Sequence, residues 1–182
     1  MIAKETKLKG CYILEPRLFK DARGYFFESY NKMELEKALG HPVAFVQDNQ
    51  SYSKFGVIRA LHYQIGIHAQ AKLVRVLKGK VLDVAVDLRK NSTTFGQYIS
   101  VELSAENKKQ LFIPRGFAHG FVTLSETAEF YYKCDNYYNK EAEAGIIYND
   151  NDININWKIN VEEAIVSEKD AELPTFKKAV LW

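Results

Sequence analysis

The feature that most narrows what this chain can fold into is the alternation over residues 81–88. Leu82, Val84, Val86 and Leu88 share one face there, opposite Asp83 and Asp87. Side chains that repeat every second residue fall on one side only in an extended strand, so the segment predicts a β-strand with one buried face. Further short β-rich runs occupy residues 73–77, 97–103, 110–114, 117–124 and 129–137, separated by turn signals such as Lys78-Gly79-Lys80. Repeated short strands of this kind build an antiparallel sandwich or barrel. Helix signals are few. Asn31 with Glu34 three residues later predicts a capped helix ending at Gly40, and Ser167 with Asp170 marks another helix start.

The chain has 182 residues, 47% hydrophobic and 26% charged, which fits a single globular domain over residues 1–182. No repeat, low-complexity tract or proline-rich linker marks a boundary. The net charge is +2 with acids and bases intermixed, so no basic stripe is set out for nucleic acid or a membrane surface. Cys11 and Cys134 have neither the number nor the spacing of a disulfide framework or zinc site and read as reduced thiols. There is no signal-peptide pattern at the start and no run of ~18 apolar residues, so the expected location is the cytoplasm. Aromatic residues are plentiful; most should fill the core, leaving some to line a pocket for rings.

Five strings carry groups able to do chemistry. In Asp21-Ala22-Arg23-Gly24-Tyr25-Phe26-Phe27-Glu28 an arginine beside a glycine offers a rigid fork to a phosphate, although a surface turn with an Arg–Glu salt bridge is the commoner outcome for such a string. Gln47-Asp48-Asn49-Gln50-Ser51 and the run from Gly56 through Arg59 and His62 to Gln64 crowd polar groups beside strand formers, as a lined cavity requires. An imidazole has an ordinary pKa of ~6.5, so His62 suits a base near neutral pH; a hydrogen-bonded structural histidine is the plainer alternative. Lys72 begins a predicted strand where its ammonium can face a developing enolate oxygen, against the usual solvated lysine. His119 sits among Ala118 and Gly120, small neighbours that leave room for a ligand. Finally, period two places Phe130, Tyr132 and Cys134 on one strand face, where a phenol can donate a proton.

Arg59 and His62 have opposite parity on an ideal strand, so a bulge or bend must intervene if both face one site. The four histidines, His41, His62, His68 and His119, include no His-x-His pair and no nearby carboxylate completing a ligand set, so no metal is expected. There is no Gly-x-Ser-x-Gly elbow and no glycine-rich phosphate loop.

In their order along the chain, from about residue 14 to 174, these strings resemble the dTDP-4-dehydrorhamnose 3,5-epimerase family. The resemblance rests on Arg23-Gly24, Gln47-Asp48-Asn49, the Arg59 to Gln64 run, the Gln70 to Val74 run, Phe117-Ala118-His119-Gly120-Phe121 and Tyr137-Tyr138. It implies a mainly β, cupin-type jelly-roll barrel with a few short helices. It also implies a homodimer whose N-terminal strands help complete the partner's sheet, and catalysis with neither cofactor nor metal. By the same resemblance His62 is the general base, Asp170 the carboxylate that orients it, and Tyr132 the general acid. Lys72, with His119, would steady the enolate oxygen. Arg23, Glu28, Gln47, Asn49, Arg59, Lys72, His119, Glu143 and Lys169 would contact a dTDP-linked sugar, and Tyr138 would stack on its base. Ala60 and Ala71 depart from the family pattern, where glycine is usual, and His68 is an addition.

The activity this implies is proton removal and return at C3 and C5 of dTDP-4-keto-6-deoxyglucose. Three alternatives use the same residues differently: an epimerase acting on one carbon of another nucleotide-linked keto sugar, a non-catalytic sugar-binding cupin, and a metal-dependent cupin, which would retain bound metal on purification.

Overall fold

The computed structural model describes residues 1–181. Six strands form one antiparallel sheet in the order β1 (Ile2–Glu5), β2 (Tyr12–Glu15), β10 (Gln110–Ile113), β7 (Lys72–Lys78), β12 (Thr127–Cys134) and β5 (Gln47–Lys54). A second antiparallel sheet has five, in the order β13 (Glu143–Ile146), β6 (Ile58–Gln64), β11 (Phe117–Thr123), β8 (Lys80–Asp87) and β9 (Tyr98–Ser104). A separate hairpin joins β3 (Phe19–Asp21) to β4 (Gly24–Phe26). The predicted strands all form, with small changes at their ends; the last one starts at Thr127 and stops at Cys134 rather than continuing to Tyr137. Asp135 ends it, because its carboxylate accepts the Ala71 N–H at 2.6 Å and an Arg115 Nε–H at 2.8 Å.

Strand parity sorts the apolar residues into three layers. Val74, Val76, Val81, Ala85, Phe117, Phe121 and Phe130 project between the sheets, where the Phe121 and Phe130 rings stack at 4.3 Å across the sandwich. The alternate residues Leu82, Val84, Val86, Ala118 and Val122 project the other way, beneath Ile153 and Trp157 of the C-terminal segment. On the outer face of the larger sheet, Leu14, Leu73 and Phe112 are covered by Leu35 and Leu39 of helix α1 (Lys32–Leu39).

This layering corrects one expectation. The alternating strand is buried on both faces, and Asp83 and Asp87 are fully buried. A buried carboxylate persists only when its oxygens are hydrogen-bonded. Asp87 accepts from Arg89, Ser92 and Thr94 at 2.6–2.8 Å; Asp83 meets His119 through Oδ2 alone, its Oδ1 being buried without a partner, and burial pushes that carboxyl toward its neutral form. Although burial pushes the Asp87 carboxyl up, the bonds from Arg89, Ser92 and Thr94 outweigh it and hold it at about 2.

Both helix starts form where the capping residues predict. Asn31 Oδ1 accepts the Glu34 N–H at 3.3 Å, and Gly40 closes α1 in the left-handed region at φ 76°. Ser167 Oγ accepts the Asp170 N–H at 3.1 Å, starting the one-turn helix α2 (Glu168–Ala171).

Candidate active site

The site is built at a bulge. Across β6 and β11, His62 lies opposite His119 and Arg59 opposite Phe121, so three steps on β6 face two on β11. The extra residue restores both Arg59 and His62 to the inner face, as their parity required. The crossing is tight: a Cβ on Gly120 would stand 2.7 Å from the Arg59 carbonyl oxygen, so only glycine fits there without displacement. The Ala60 N–H, instead of joining the β11 ladder, donates to Asp170 Oδ2 at 2.8 Å.

Asp170 is thereby fixed at two points, and its other oxygen, Oδ1, lies 3.0 Å from His62 Nε2. Burial acts to raise the Asp170 carboxyl, but the bonds from His62 and the Ala60 N–H outweigh it and hold it below its ordinary range. An ionised carboxylate there accepts the Nε2 proton and sets the imidazole tautomer. Nδ1 is then left with its lone pair. It is buried without a hydrogen-bond partner, and the nearest carboxylate, Glu143 Oε1, stands off at 3.9 Å.

His62 opens into a cavity of about 430 Å³ between the sheets. Tyr132 stands on the opposite wall, on β12, beside Phe130 and Cys134 as period two predicts. Burial raises the Tyr132 phenol, keeping it protonated at neutral pH. Lys72 also lines the cavity, its ammonium 5.8 Å from the centre of the Tyr132 ring. Burial lowers that ammonium against the pull of Asp83 and Glu143. His119, on β11, stands beside His62 on the first wall; its Nε2 lies 2.9 Å from Asp83 Oδ2, and burial pushes the acid up and the imidazole down, so both lean toward their uncharged forms. Asp83 was not a candidate from sequence. The usable signal was an acid of inner parity on a strand beside that of a histidine.

At the mouth, Arg59 is held by Ser53 Oγ at 3.3 Å and the Tyr52 carbonyl at 3.2 Å. Gln47 and Asn49 bond each other at 3.0 Å, and Gln47 Oε1 also accepts the Tyr138 N–H at 3.0 Å. Glu143 Oε2 accepts from the Tyr138 hydroxyl at 2.8 Å and from Lys169 Nζ at 2.6 Å, tying the rim to α2. The structure does not bring Arg23 and Glu28 to this cavity. Arg23 lies on the exposed β3–β4 turn, paired with Asp21 at 2.6 Å, which is the surface-turn outcome, and Glu28 accepts from Asn31 near α1. Among the described residues, no group of three or more His, Cys, Asp and Glu side chains is gathered as a metal ion would need, and both cysteines are free.

A histidine–carboxylate pair on one sheet facing a phenol on the other is equipped to take a proton from one face of a ligand and return one to the opposite face, the chemistry of an acid–base isomerase. The comparisons make the class specific. The sequence model of dTDP-4-dehydrorhamnose 3,5-epimerase matches residues 5–178, and the chain belongs to that family. It is 54% identical over 181 residues to the dTDP-4-dehydrorhamnose 3,5-epimerase of Salmonella typhimurium, covering 100% of this chain and 98% of the relative. The crystal structure of the enzyme of that name from Elizabethkingia anophelis superposes with a TM-score of 0.93 at 59% identity, covering 96% of each chain. The dTDP-6-deoxy-D-glucose-3,5-epimerase of Legionella pneumophila, solved in complex with dTDP-4-keto-L-rhamnose, gives 0.92 at 46% identity, over 97% of this chain and 93% of that one.

Proposed function

We propose that the protein inverts C3 and C5 of dTDP-4-keto-6-deoxyglucose to give dTDP-4-dehydro-L-rhamnose, on the way to dTDP-L-rhamnose. The observation that carries this reading is the His62–Asp170 pair on one wall of a cavity with Tyr132 on the other. The relatives named above, and the ligand in the Legionella structure, point to the same reaction.

The ketone at C4 acidifies the hydrogens on both neighbouring carbons. His62 Nδ1 takes one of them, the C–H electron pair moves into the ring, and the C4 oxygen becomes an enolate facing Lys72 and His119. The enolate collapses as Tyr132 returns a proton from the opposite face, which inverts the carbon. Imidazolium and phenolate then reset by proton exchange with water, and the second carbon follows. Carbon keeps its oxidation state throughout, so the scheme needs no hydride acceptor. Arg59 and Lys169 offer cations to the diphosphate, Gln47, Asn49 and Glu143 supply polar contacts, and Tyr138 stacks on the base.

Arg23 and Glu28 belong to this reading only through a second copy of the chain. The protein acts as a cytoplasmic homodimer, each copy a single domain over residues 1–182, with the N-terminal strands extending the partner's sheet. This is supported by the edge position of β1, by the exposed Phe19, Tyr25 and Phe26 on the hairpin that carries Arg23, and by the lack, among the described residues, of any helix long and apolar enough to cross a membrane.

The test is incubation with dTDP-4-keto-6-deoxyglucose in heavy water, read carbon by carbon by NMR and mass spectrometry. Deuterium with inversion at both C3 and C5 is expected. Label and inversion at one carbon would move the protein to a mono-epimerase, and no label above the enzyme-free control would overturn the reading.

A further inference from the structure

Gln64 ends β6 on the same inner face as His62 and is 5% exposed, yet only one of its two side-chain polar atoms is hydrogen-bonded. Its Oε1 accepts the backbone N–H of Asn139 at 2.7 Å. A main-chain N–H can only donate, so this bond fixes which end of the amide is which, and Nε2 must point the other way. There it is buried with no partner in the protein, on a residue that lines the cavity. A buried amide donor left without an acceptor bears the full cost of its desolvation, which is why nearly all such groups in folded proteins are paired.

The position of the amide says what it awaits. Asn139 directly follows Tyr138, and Gln64 lies opposite Glu143, whose carboxylate holds the Tyr138 hydroxyl at 2.8 Å. The free donor is therefore bracketed by the loop and the strand that place the Tyr138 ring, two residues beyond the base on its own strand. We propose that Gln64 Nε2 donates to a ring carbonyl oxygen of the pyrimidine stacked on Tyr138, making Gln64 a specificity-determining residue for the nucleotide. The inference rests on the nucleotide reading above. It adds a contact by which the site tells a pyrimidine carrying carbonyl acceptors from a ligand without one.

Gln64→Glu is the informative variant, because it keeps the oxygen that accepts from Asn139 and replaces the donor with an acceptor; Gln64→Met, similar in shape, checks that added charge is not the cause. Calorimetry on the whole protein would compare dTDP with 2-deoxyribose 5-diphosphate, which lacks the base. Both variants are expected to bind dTDP at least roughly tenfold more weakly while the abasic ligand changes by less than about threefold. Equal losses on both ligands, or unchanged dTDP binding in Gln64→Glu, would overturn this inference and leave the nucleotide reading standing. Wild-type protein that bound dTDP no better than the abasic diphosphate would overturn both.

Discussion

His62 Nε2 and Asp170 Oδ1 lie 3.0 Å apart, although one residue belongs to a central strand and the other to a single turn of helix near the end of the chain. The Ser167 cap starts that turn, the Ala60 N–H anchors it, and the bulge in β6 supplies the Ala60 N–H. The pairing fixes the tautomer of the imidazole and leaves Nδ1 with a free lone pair, as the proposed base requires.

Replacing the base should separate chemistry from binding. His62→Ala is expected to lower kcat by roughly a hundredfold to ten-thousandfold, with dTDP affinity within about threefold of wild type, since the imidazole acts on the sugar and Tyr138 on the distant ring. Steady-state kinetics and calorimetry on the same preparation check both halves. Wild-type turnover would sink the assignment.

Asp170→Asn keeps a side chain of the same shape at 3.0 Å from His62 but removes the negative charge that fixes and supports the imidazole. A drop in kcat of about a hundredfold or more is expected, by analogy with the loss of an orienting carboxylate behind other histidine bases. The melting temperature should fall by only a few degrees, and a kcat within twofold of wild type would show that Asp170 only braces the fold.

Tyr132→Phe should uncouple exchange from inversion. Proton removal precedes proton return, so the variant is expected to wash substrate hydrogen into solvent faster than it forms inverted product. Position-resolved deuterium NMR measures both rates, and equal loss of the two would argue against a separate acid on the second wall.

The acid limb of stability should be traceable to Asp87. Its folded-state pKa of about 2 lies below the unfolded value of ~3.9, so its stabilisation is complete above that unfolded value and is lost as pH falls toward 2. Urea titrations should show wild type losing roughly 2 kcal/mol through this carboxylate between about pH 4 and pH 2. Asp87→Asn, less stable at pH 7, should lose correspondingly less across that window. Parallel curves for the two proteins would contradict the assignment.

Gly120→Ala tests the bulge itself. With the added methyl only 2.7 Å from the Arg59 carbonyl oxygen, one strand must shift, at a cost of about 1–3 kcal/mol. Because Arg59, the Ala60 N–H and His62 share that crossing, kcat should fall even where the variant is fully folded, which denaturant melts and assays at low temperature together reveal.

The sequence resolved local structure well because its signals are local. Alternation found the strands, Asn31 and Ser167 found both helix starts, and the clash of parity between Arg59 and His62 required the bulge that β6 contains. Parity also put Phe130, Tyr132 and Cys134 on one wall. It failed where the answer depended on what covers a sheet. Asp83 and Asp87 read as a solvent face because nothing near them in sequence announces that the Leu82–Val84–Val86 face is sealed by residues far along the chain, around Trp157, so that the aspartates' own face looks between the sheets. The partnership of His62 with Asp170 was legible only by resemblance, since no periodicity links a strand to a helix so distant. Arg23 and Glu28 show the opposite limit: their motif is local, but a single chain leaves them outside the cavity lining, on an exposed turn and beside α1.

The stacked Phe121 and Phe130 rings join the two sheets from within, one ring beside His119 along β11 and the other two residues before Tyr132 on β12. Base and acid are thus mounted on separate plates, and the span a sugar ring must fill is set by the aromatic spacer between those plates. Both rings also line the cavity, so trimming either would at once widen the floor under the sugar and loosen the distance over which a proton is handed across it, and the stereochemical fidelity of the product would suffer.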